Sequence, residues 1–116
     1  MTMTMATPES DFFICLSIHE ASCDAQGFLP LYEERLTLIK ASSKREATDK
    51  AQHMVKAATH SYKNADGQTI AWSCKRIVNV TEIIDSSLAD GAEIYGRYFR
   101  DLDAYDRLES ALKDSI

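Results

Sequence analysis

Ser43-Lys44-Arg45-Glu46 fixes a helix start in the middle of a chain whose other segments mostly read as strands. In a capping box the serine hydroxyl accepts from an amide three residues on. The glutamate reaches back to another of the donors that a helix start leaves without partners. Ala47, Ala51, Met54, Val55, Ala58 and Tyr62 then recur at helical spacing. Small alanines on that stripe let a helix lie close against a sheet, and Asn64-Ala65-Asp66-Gly67 supplies turn residues that end it. The spacing predicts one helix over residues 43–62.

Strand patterns flank this helix. Phe12, Ile14, Leu16 and Ile18 alternate with Phe13, Cys15, Ser17 and His19, the period of a strand. Asp24, Gly27 and Pro30 mark a connecting loop. Over 31–41, Tyr32, Leu36 and Leu38 share one face, and Glu33, Arg35 and Thr37 the other. Residues 69–84 are rich in β-branched side chains, and Ile70, Trp72 and Cys74 alternate until Arg76 falls in phase with them. A bulge near Lys75 and Arg76 repairs that phase. Residues 85–91 read as a loop ending in an Asp-Gly turn. Over 92–100, Ile94 and Tyr98 stand opposite Tyr95 and Phe99 as in a strand, yet Tyr95, Tyr98, Phe99, Leu102, Tyr105, Leu108 and Leu112 also fit helical spacing. The reading adopted is a strand to about Phe99 and a helix from Asp101.

The result is an α+β domain over 11–116, preceded by a polar, disordered leader over 1–10. It has a four-stranded, mostly antiparallel sheet, one helix on a face and a C-terminal helix, in the order β-β-α-β-β-α. With 116 residues there is length for one core. The longest apolar runs are far short of the roughly 20 residues of a membrane helix, so no membrane association is expected. Eighteen acidic against thirteen basic residues, a net charge of -5, argue against nucleic acid, whose phosphates are bound by Lys and Arg. Such a balance steers the chain toward a basic protein partner. Cys15, Cys23 and Cys74 are an odd, widely spaced set, expected as reduced thiols in a cytoplasm.

The order of these features resembles family 4288 of bacterial domains of unknown function, over about residues 12–100. Tyr32-Glu33-Glu34-Arg35 opens a strand, and a capped helix rich in Ala and Lys follows. Asp66-Gly67 precedes a strand containing Trp72, with Val78 and Val80 beyond. Asp90-Gly91-Ala92-Glu93-Ile94-Tyr95-Gly96-Arg97-Tyr98-Phe99 is the most specific piece. The resemblance implies a fold and no established activity.

Motifs that carry chemistry fall away on inspection. His19-Glu20-Ala21-Ser22-Cys23 looks like a zinc-protease motif with cysteine at the second ligand, but it ends a strand rather than lying on a helix. His53 and His60 are seven apart, too far for i, i+4 chelation. Asp101, Asp103 and Asp106 lack the glycine and glutamate of a calcium loop, and acids at a helix start answer the macrodipole. No metal, cofactor or nucleophile elbow is predicted, and Cys15 and Cys74 read as small apolar strand residues.

Two surfaces remain. Tyr95, Tyr98, Asp101, Asp103, Tyr105 and Asp106 combine aromatics with acids, as a protein-binding surface does; core packing of the terminal helix is the competing account of Tyr98 and Phe99. His19, Glu33 and Arg35, with Ser17 and Thr37, are expected on the open sheet face, where they read first as a solvated face with cross-strand charge pairs and otherwise suit a small ligand or acid–base work. The leading expectation is a non-enzymatic, acidic protein-binding module, in concrete form an immunity-type protein that neutralises a basic toxin domain. The alternative is a ligand binder or enzyme built on His19, Glu33 and Arg35. Self-association through a strand edge stands beside both.

Overall fold

The computed structural model describes residues 11–85 and 87–116; the leader expected over 1–10 lies outside them. Its elements are β1 (Asp11–Cys23), β2 (Leu31–Ala41), α1 (Lys44–Ala57), β3 (His60–Lys63), β4 (Thr69–Glu82) and α2 (Leu102–Lys113). All strand pairings are antiparallel and the sheet order is β2-β1-β4-β3. The β-β-α-β-β-α order of the sequence reading holds, but one strand has changed identity. Residues 92–100 form no strand, and His60–Lys63 supplies it instead.

The physical reason lies at the end of α1. The helix stops at Ala57, and Thr59, His60 and Tyr62 then favour extended backbone. The turn beyond them pulls the segment onto β4. Asn64 Oδ1 accepts from the amides of both Asp66 and Gln68 at 2.9 Å, and Gly67 takes the left-handed φ of +76°. Lys63 thereby pairs with Thr69 and Tyr62 with Ile70. At its start α1 follows the sequence closely. Ser43 Oγ accepts from the Glu46 amide at 3.1 Å, while the Glu46 carboxylate accepts from the Ser42 amide at 2.9 Å, one residue earlier than a capping box requires.

β1 is central and buried on both sides. Phe13 and Cys15 pack with Ile39 and Ala41 of β2, Val80 of β4, and Ala47, Ala51 and Val55 of α1. Ile14 and Leu16 are buried on the other face. Between β1 and β2 the register runs without a break from Asp11 opposite Ala41 to Ala21 opposite Leu31. Between β1 and β4 it shifts twice, and β4 leaves Val78 and Lys75 without a partner on β1. The second shift is the bulge that the phase of Arg76 called for.

The unbroken β1–β2 register corrects one expectation. Ser17 and His19 keep the parity of Phe13 and Cys15, and Glu33, Arg35 and Thr37 keep that of Ile39. All five stand on the α1 side of the sheet, not on its open face.

Ala47 and Ala51 have no exposed surface, so the helix sits too near the sheet for larger side chains. Ala51→Leu should lower unfolding free energy by about 1–3 kcal/mol in urea melts, while the exposed Gln52→Ala should stay within about 0.5 kcal/mol. Equal effects of the two would contradict this close approach.

Candidate functional site

The open face of the sheet is dressed by the chain beyond β4. Ile83 donates its amide to the Phe12 carbonyl at 2.9 Å, which ties that segment to the start of β1. A turn closed by the Ala92 amide on the Ala89 carbonyl, with Gly91 at φ +86°, reverses it. This is the Asp-Gly turn read from the sequence. Tyr95, Gly96 and Arg97 then pass beside Leu16 of β1 and Glu34 and Leu36 of β2. Asp101 caps α2 through its Oδ1, which accepts from the Ala104 amide at 2.9 Å.

α2 does not close on the sheet. None of its residues is buried, and Leu108 and Leu112 remain half exposed. Between them and the sheet lies an open groove of about 400 Å³, lined also by Tyr95, Phe99 and Tyr105. Phe99 and Tyr105 stack at its mouth, with ring centroids 5.2 Å apart and planes 5° from parallel, an offset stack that holds the 99–101 corner against the helix. The core packing considered for Tyr98 and Phe99 is absent, because Tyr98 is 100% exposed and Phe99 51%.

Six residues were singled out as a partner surface, and they divide by geometry. Tyr95 and Tyr105 line the groove. Asp101 has its carboxylate engaged in the cap. At about 100° per residue, Asp103 and Asp106 fall on the flank of α2 turned away from Leu108 and Leu112. Tyr98 points elsewhere, beside Thr81 and Ile84. Leu16, Leu36, Leu108 and Leu112 were missed as site residues. Their signal was legible as helical and strand spacing, but spacing marks an apolar stripe without saying whether anything covers it.

The second set is assembled more tightly. Glu33 is directly opposite His19, and Arg35 opposite Ser17. Arg35 Nη2 donates to Glu33 Oε1 at 2.7 Å, an ion pair partly open to solvent. Ser17 Oγ and His19 Nε2 share a hydrogen bond of 2.8 Å, with Ser17 0% and His19 1% exposed. A serine bonded to a histidine has the composition of a nucleophile and its base, but both are closed to solvent. The pair acts here as a satisfied polar contact inside the sheet–helix layer. Cys15, also fully buried, has its thiol pKa pushed up by burial and then by Cys74, which disfavours a reactive thiolate. Among the described residues no group of three or more His, Cys, Asp and Glu side chains is placed to hold a metal ion.

Burial lowers the His19 pKa below its ordinary 6.5; the Arg35 guanidinium adds to this, and Glu33 opposes it. Because the folded form resists protonation, the unfolded chain binds more protons once pH falls below about 6.5. The contribution of neutral His19 to stability is therefore complete above that value and is lost as pH falls toward its folded pKa. The difference in unfolding free energy between the native chain and His19→Gln should shrink from about pH 7.5 to pH 5. A difference constant across that range would mean that His19 titrates alike in both states.

No helix among the described residues is long and apolar enough to cross a membrane. No curated protein matches the chain, and no solved structure does. A family model matches residues 12–96, which takes in the sheet from Phe12 onward, α1 and the turn to Gly96, and stops before Tyr98 and α2. The chain belongs to the family described as Domain of unknown function (DUF4288).

Proposed function

We propose that this chain is a small acidic protein-binding module of the bacterial cytoplasm, and that its partner is basic. In its most concrete form it is an immunity-type protein that neutralises a toxin domain made by the same bacterium. The observation that carries this reading is α2, an amphipathic helix with an apolar side half open to solvent and no buried residue. A helix gains little from standing off a sheet unless something else covers it. The stacked Phe99 and Tyr105 supply rigid aromatic anchors beside the groove. Asp103 and Asp106 supply an acidic flank, and charge at a rim acts mainly on the rate of encounter. Three free cysteines suit a reducing compartment.

The two parts of the surface separate in kinetics. Capture from a lysate of the native host should return one stoichiometric basic protein, and biolayer interferometry against it gives both rate constants. Reversing charge at Asp103 and Asp106 together should slow association by roughly tenfold at low salt and leave dissociation nearly unchanged. Tyr105→Ala should instead speed dissociation. Full-speed association and dissociation in both variants would remove α2 from the interface.

A further inference from the structure

The sheet has two outer strands, β2 and β3, and they differ in how they are protected. β3 is four residues long, and a very short edge offers little to pair with. β2 is eleven residues long, contains no proline or bulge, and has no strand partner on its outer side among the described residues. Native edges of that length are usually interrupted.

Its open-face side chains read Glu34, Leu36, Leu38, Lys40 along the strand, all exposed, with both leucines about half so. That column is its own complement when reversed. A two-fold axis normal to the sheet keeps each residue on its own face, so antiparallel pairing of two β2 strands must centre on a single residue. Centred on Glu34 or Arg35, it sets like charges directly opposite. Centred on Leu36 it faces Glu34 with Leu38, and centred on Leu38 it faces Lys40 with Leu36. Centred on Thr37, Leu36 meets Leu38 of the second copy and Glu34 meets its Lys40, each twice by symmetry. On the α1 side Thr37 meets Thr37 and Arg35 meets Ile39. No like charges face one another, and opposite charges and apolar pairs across strands are the contacts that stabilise a sheet.

We propose that β2 pairs antiparallel with β2 of a second copy of this chain about Thr37, joining two four-stranded sheets into one continuous sheet. This surface is separate from the acidic flank of α2, so the pairing does not depend on the partner reading above.

Sedimentation equilibrium of the purified full chain across the micromolar range tests it, with circular dichroism to confirm that each variant folds. The native chain should be a dimer. Glu34→Lys and Lys40→Glu should each weaken the dimer roughly tenfold, since each turns two attractive cross-strand contacts into repulsions. The double variant, which restores opposite charges in reversed order, should recover most of the affinity. A native chain that stays monomeric overturns the proposal. So does a dimer indifferent to the single reversals, or one that the double variant fails to restore.

Discussion

Everything in this fold depends on β1 having a packed face on both sides. Most strands of an antiparallel sheet can leave one face to water. β1 cannot, because Phe13 and Cys15 are buried under α1 while Ile14 and Leu16 are buried opposite. Two unequal covers follow from that. On one side the small residues of α1 close over Phe13 and Cys15, and farther along the same face Ser17 and His19 are also buried. On the other side the cover is a turn, a glycine-containing passage over Leu16, and a helix that stands clear of the strands.

The unequal covers explain which parts of the structure were legible in the sequence. Local chemistry read well. Ser43 and Glu46 start α1, Asp101 starts α2, and the phase of Ile70, Trp72, Cys74 and Arg76 announces a bulge at Lys75. What depends on competition between distant partners did not read well. Tyr62 fits the stripe of α1 by spacing, yet the Asn64 turn offers it a place beside Ile70, and the strand wins over another turn of helix. The 92–100 segment alternates like a strand, but it crosses the open face beside Leu16 and Leu36 instead of pairing.

The placement of His19, Glu33 and Arg35 was recoverable from parity alone. Counting by twos from Phe13 and from Ile39 reaches all three without a break, and those two residues belong to the apolar layer under α1. Polar residues on that side suggested a solvated face because their types are those of a surface. The sheet accommodates them otherwise, by bonding Ser17 to His19 and Glu33 to Arg35, and burial lowers the pKa of the imidazole. A polar cluster of this kind specifies register, since sliding β2 by one residue against β1 would carry Glu33 and Arg35 to the other face and leave His19 without its neighbours.

β2 is where the two candidate surfaces meet. Its even-numbered side chains look onto the open face, so Glu34 and Leu36 line the groove under α2 and also belong to the self-complementary column of the edge. Pairing two copies about Thr37 would bring two such grooves to the same side of one sheet, related by the two-fold axis. The apolar strip between them would then be built from Leu36 and Leu38 of both chains. Leu38 lies outside the groove lining, so each groove meets that strip only at its own Leu36.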